Sequence, residues 1–174
     1  MIIAVILVVA SIGLYNRVIR LDNRIDNSRS QIDVQLKRRA DLVPSLVETV
    51  KGYAKHEKSV FKSVTDARER MMKAGNVEDR VKASNQLTGA LKTLFAISEN
   101  YPKLKANENF LQLQEELSSI ENKIAYARQF YNDTVLQFNN FITTIPGRFF
   151  AGGRKPHTYL EIDVGEKTMP KIEF

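Results

Sequence analysis

Two histidines, His56 and His157, lie in different segments of the 174-residue chain, and there is no cysteine. His56-Glu57 opens like a helical zinc-protease site, but that site needs a second histidine four residues after the first, and position 60 holds Val60. A solvated surface role is the expectation for His56. Di-metal helical bundles need inward carboxylates with Glu-x-x-His pairs on two helices. No such pair occurs, and Glu115, Glu116 and Glu121 fall on helix faces away from the apolar stripe. The lack of cysteine removes disulfides, thiolate chemistry and a lipid on an N-terminal cysteine. There is no phosphate-binding glycine loop, no Gly-x-Ser-x-Gly elbow and no acidic calcium loop, and Gly152-Gly153 reads as a turn. Glu57 is the one acidic residue at a seam position, where pairing with a buried Arg or Lys would set register. The chain is therefore expected not to be an enzyme, with no catalytic, metal or cofactor-binding residue and no cofactor.

What these residues sit on is helical. Met1 to Tyr15, MIIAVILVVASIGLY, carries no charged side chain. Fifteen helical residues cover about 22 Å against a hydrocarbon core of roughly 30 Å. Val18, Ile19 and Leu21 extend the run if Arg17 and Arg20 snorkel. A cleaved signal peptide is the rival reading, with Val8 and Ala10 at cleavage spacing, but no basic residue precedes the apolar run. The expectation is an anchor over residues 1–21, with Arg17, Arg20 and Arg24 at the membrane interface. Basic residues cluster after the span, so the positive-inside rule puts the body in the cytoplasm and the N-terminus outside.

A helical domain over residues 22–146 follows. Val18, Leu21, Ile25, Ser28, Ile32, Gln35, Arg39 and Val43 keep steps of three and four, a helix with one apolar face. Pro44 predicts a kink or break near Asp41–Pro44. The rhythm resumes at Leu46, Val50, Tyr53, Glu57, Val60, Val64, Ala67 and Met71, and Gly75-Asn76 ends it, with Asn76 capping the next helix. A third helix carries Val77, Val81, Leu87, Leu91, Leu94, Phe95 and Ile97 and stops near Tyr101-Pro102. The fourth, capped by Asn107 and stopped by Pro146-Gly147, holds Phe110, Leu113, Leu117, Ile120, Ile124, Ala127, Tyr131, Thr134, Phe138, Phe141 and Ile145. So long a stripe needs helical partners. The expected fold is all-α: an elongated antiparallel four-helix bundle with coiled-coil-like packing, an N-terminal transmembrane helix and an extended or β-like tail over 147–174.

Charge adds a partner class. The net charge is +6, and seven Arg/Lys against three Asp lie between Arg17 and Arg39. This excess borders the apolar segment, which suits anionic headgroups. Nucleic acid is not expected, because no aromatic residues interleave with the basic ones. Lys37, Arg38 and Arg39 are candidates for pairing with an acidic patch on a second copy. In the tail, Tyr159, Leu160, Ile162 and Val164 alternate with polar residues, as a short strand would. Such a strand either pairs with a neighbouring copy or lies extended on its own bundle.

With these residues placed, the chain resembles the LemA family of bacterial membrane proteins. SQIDVQLKRRADLVPSLVETVKGYAKHE at 30–57 and KANENFLQLQEELSSIENKIAYARQFYNDTV at 105–135 carry the resemblance, and RKPHTYLEIDVGEKTMPKIEF looks like the family's usual ending. The resemblance implies a short N-terminal anchor and a soluble antiparallel four-helix bundle, in the bacterial cell membrane as a single-pass protein. It implies no enzymatic activity, no cofactor and no residue to carry over as catalytic. The functional expectation is a membrane-anchored scaffold that self-associates and shapes membrane. The alternative is a monomeric binding module or adaptor for another membrane protein, such as a protease or sensor.

Overall fold

The structure is a computed structural model, and it describes residues 1–161. It is all-α: α1 (Ile2–Lys51), α2 (Lys58–Lys73), α3 (Val77–Ser98), a single turn α4 (Pro102–Lys105) and α5 (Glu108–Thr143), then a 3-10 turn, Gly147–Phe150. The chain forms two compact units. One comprises Met1–Ile32 with Tyr126–Leu160, the other mainly Asp33–Ala125.

Of the kink or break expected near Asp41–Pro44, the break does not occur, since α1 runs through Pro44 to Lys51. Proline cannot donate to the carbonyl one turn back, here that of Ala40, and Ala40 is fully buried. Arg68 on α2 supplies the missing donor, its Nε reaching Ala40 O at 2.7 Å. The helix instead ends after Lys51, with Tyr53 and Ala54 both donating to Val50 O. Residues 52–57 then turn the chain into α2. Both expected caps are present: Asn76 Oδ1 accepts from the amide of Asp79 at 2.7 Å, and Asn107 Oδ1 from that of Phe110 at 2.9 Å.

In the larger unit, four helical segments bury Leu36, Ala40, Val43, Leu46, Phe61, Val64, Met71, Leu87, Leu94, Phe110 and Leu117. Each large side chain so buried is worth about 1.5–3 kcal/mol of hydrophobic transfer. This unit is the helical bundle the stripes predict.

The other unit has only two helical segments, so its seam needs a different cover. Antiparallel α1 and α5 enclose Val18, Ile25, Ile32, Tyr131, Val135 and Phe138. Residues 154–160 provide the cover as extended chain. Asn139 and the backbone of His157 exchange two hydrogen bonds of 2.9 Å, Nδ2 to the carbonyl and amide to Oδ1. Asn132 does the same with Leu160, at 3.0 and 2.9 Å. The spacings match, since seven helical residues rise about 10.5 Å and three extended residues about 10 Å. Each asparagine amide thus acts as a strand partner would. Burial along the strip recurs at every third residue, Arg154, His157 and Leu160, while Thr158 and Tyr159 are both exposed, so the alternation by two expected of a strand is not seen among the described residues.

Candidate functional site

Residues 2–17, the start of α1, are a surface that the fold leaves largely uncovered. Ile2, Ile3, Val5, Ile6, Leu7, Val8, Val9, Ile12 and Tyr15 are all exposed. An 18-residue window here has mean hydropathy 2.2 with 6% of it buried, which distinguishes it from a core helix. Packing begins at Val18, which is fully buried. The exposed apolar run therefore ends at a polar collar of Asn16 and Arg17, with Tyr15 at its rim, the arrangement of an interfacial anchor.

The three expected interface arginines follow at once. Arg17 lies over the Phe141 ring, with Cζ 4.9 Å from its centroid, and Arg24 over Phe130 at 5.0 Å. Arg20 is exposed. These contacts bind the collar to α5, each worth about 0.5–1 kcal/mol where exposed.

The second cationic group divides. Lys37 and Arg38 are exposed, whereas Arg39 is buried. Arg39 Nη1 donates to Ser84 Oγ at 2.8 Å, Nη2 to Thr88 Oγ1 at 2.9 Å, and Nη1 stands 2.7 Å from Glu121 Oε2. Burial pushes the Arg39 guanidinium below the ordinary arginine pKa, and the Glu121 charge opposes that shift. Arg39 is therefore spent inside its own chain and unavailable to a second copy. Its place on the apolar stripe was the signal for this. Glu121, expected away from the seam, supplies the countercharge, while Glu57 meets the hydroxyl of Tyr101 at 3.4 Å and, among the described residues, no cation.

Lys37 borders an open groove of about 330 Å³ with Asp33, Val34, Leu36, Met71, Met72 and Arg80. Arg38 borders another, of about 360 Å³, whose floor is Leu42 and Ile120 and whose rim includes Asp41, Glu116 and Lys123.

In the tail, Tyr159 and Leu160 belong to the strip on α5, and Ile162 and Val164 lie outside the described residues. Sequence reasoning missed the polar knot that fixes this strip. Asp22 accepts from Arg154 Nε at 2.9 Å and faces His157 Nε2 at 3.2 Å, while the His157 ring meets Phe138 edge-on at 4.9 Å. Tyr131, fully buried, donates its hydroxyl to Thr158 O at 3.0 Å and accepts from Arg29 at 3.3 Å. The seven-residue spacing of Asn132 and Asn139 was the available signal. His56 is exposed, and among the described residues no three His, Asp or Glu side chains could hold a metal ion.

An apolar helix end that continues into a packed helical body defines a membrane-anchored helical protein. The comparisons specify which kind. The LemA family model matches residues 28–174, so the chain belongs to the LemA family. It is similar to Protein LemA of Metamycoplasma hominis, 30% identical over 138 residues, covering 76% of this chain and 61% of that one. It is also similar to Magnetosome protein MamQ 2 of Paramagnetospirillum magneticum, 26% identical over 181 residues, covering 87% and 66%. MamQ of Magnetospirillum gryphiswaldense is 26% identical over 163 residues, covering 79% and 60%. The chain thus spans 60–66% of the length of these curated relatives.

Proposed function

We propose that this protein is a non-enzymatic scaffold, anchored by α1 and self-associating on the cytoplasmic face of the bacterial membrane. The observation that carries the reading is the exposed apolar end of a helix that then runs unbroken to Lys51. An anchor that continues into the packed α1–α5 pair holds that unit at the bilayer, as an organising protein needs. The exposed run, Ile2–Tyr15, is about 21 Å long, and a short span relieves mismatch by thinning the bilayer or by gathering copies. Membrane shaping would follow from such gathering. The Arg38 groove, apolar at its floor and of mixed charge at its rim, suits a like surface on another copy.

The test is the mass of the detergent-extracted full-length protein. A multimer is expected, reduced in size by K37E/R38E, and a monomer at working concentration contradicts the scaffold. Deleting 162–174 asks whether the tail contributes. The larger deletion of 155–174 would also remove the strip that covers the α1–α5 seam. Orientation is read by protease digestion of sealed vesicles, where protection of the body from outside is expected.

The groove beside Lys37 favours a second reading, an adaptor for another membrane protein. Its wall carries Met71 and Met72, and methionine adapts to varied partners. A monomer that co-purifies with one stoichiometric membrane partner supports that reading over the scaffold.

A further inference from the structure

The chain reverses between α5 and the tail strip at Ile145–Phe150, and this reversal displays apolar side chains where a soluble turn would not. Ile145 and Phe149 are each 76% exposed, more than Ile12 or Tyr15 on the anchor itself. The backbone there is not loosely placed. Arg148 donates its amide to Thr144 O at 2.8 Å, and Gly147 packs so closely that a Cβ would collide with the carbonyl of Phe141. The exposure is therefore built into a tight turn.

The position of the turn along α1 follows from register. Phe141 stacks on Arg17, Phe130 on Arg24 and Tyr131 on Arg29, so α5 runs antiparallel to α1. Helical hydrogen bonding continues to Thr144, whose amide meets Asn140 O at 3.1 Å. Three residues beyond Phe141, at about 1.5 Å each, therefore carry the chain roughly 4.5 Å nearer the apolar end, level with about residue 14 of α1, and Ile145 follows in the turn. That level lies on the anchor side of the Asn16–Arg17 collar. A bilayer surface that meets α1 at this collar is therefore within reach of the turn. Arg148 and Lys155 are exposed beside it, as cations facing headgroups would be.

We propose that Ile145 and Phe149 form a second membrane contact, inserted at the headgroup–acyl boundary beside the α1 anchor. The contact makes two points of attachment, α1 and the end of α5, and so resists rotation of this unit about the axis of α1. The partner is the lipid bilayer, by continuity with the anchor surface. The proposal rests on the reading of α1 as a membrane anchor, and the test separates the two.

The chain contains no tryptophan, so a single introduced one reports its own site. Full-length F149W, V9W and Y126W are each reconstituted in vesicles of phosphatidylcholine and phosphatidylglycerol, with and without bromine on the upper acyl chain. Val9 is exposed on the anchor; Tyr126 is 72% exposed on α5, nineteen positions before Ile145. An interfacial wedge sits about 5–10 Å into the boundary, so F149W should lose about half its emission to bromine. V9W should be quenched as well, and Y126W should not. If V9W is quenched while F149W behaves like Y126W, the turn is not in the bilayer and this proposal fails alone. If V9W also escapes quenching, the anchor reading falls with it.

Discussion

Arg68 and Pro44 make an energetic pair on different helices, and their coupling can be predicted with a number. Replacing Arg68 by Met keeps the aliphatic stem and removes the Nε donor that lies 2.7 Å from Ala40 O. Ala40 is fully buried, so its carbonyl finds no water in exchange. An unsatisfied buried acceptor costs about 1–3 kcal/mol, and the donor here is charged, which puts R68M near 2 kcal/mol. In a domain of this size that is about 4–8 °C of Tm. P44A restores a backbone N–H one turn beyond Ala40, so in that background the carbonyl has its helical partner. R68M should then cost under about 1 kcal/mol, for a coupling of about 1–2 kcal/mol. P44A alone should stabilise, because alanine exceeds proline within a helix by up to about 3 kcal/mol. The assay is urea unfolding of the four full-length proteins in mild detergent, followed by helical circular dichroism. Equal cost of R68M in both backgrounds would refute the claim that Arg68 completes the helix across Pro44.

Other consequences concern the buried charge and the tail. Glu121 is 43% exposed and can rehydrate, whereas Arg39 at 4% cannot, so E121L should destabilise more than R39M, by about 3 kcal/mol against 1–2. R39M/E121L should recover part of the loss, and additive costs in denaturant unfolding would count against a paired interior. N132A and N139A each remove two hydrogen bonds to the strip, at a cost of about 1–2 kcal/mol apiece. Amide exchange at Leu160 should quicken in N132A and at His157 in N139A. Unchanged exchange at both would show that the asparagines do not hold the strip.

The limits of sequence reading follow from particular residues. Steps of three and four place Val18, Ile25, Ile32 and Val43 on α1, and Phe110, Leu117, Ile124, Tyr131 and Phe138 on α5, and all are buried. The Asn76 and Asn107 caps are local, side chain to nearby backbone, and so are readable. Pro44 is not, because the donor that rescues its helix is Arg68, twenty-eight residues away in sequence from the carbonyl it serves. The same rhythm runs on through Tyr53 and Glu57, which conceals the turn at 52–57. An elongated four-helix bundle over residues 22–146 was expected, but one unit has an extended strip where a helix pair would lie. That substitution depends on asparagine amides acting as strand partners, which periodicity does not register. At the candidate site the exposed apolar start of α1 is a matter of composition and order, hence legible. The exposure of Ile145, which extends the seam rhythm, appears only once the chain has turned back at Pro146-Gly147.

Self-association in the membrane is the central functional claim, and counting copies in a bilayer tests it most directly. The chain lacks cysteine, so K62C, at an exposed position on α2, takes one dye per protein. Full-length protein is then diluted into vesicles until copies would meet rarely by chance, and bleaching steps are counted per spot. The scaffold predicts multi-step spots that persist on further lipid dilution and give way to single steps in K37E/R38E. Single-step bleaching of the unaltered protein throughout would contradict it.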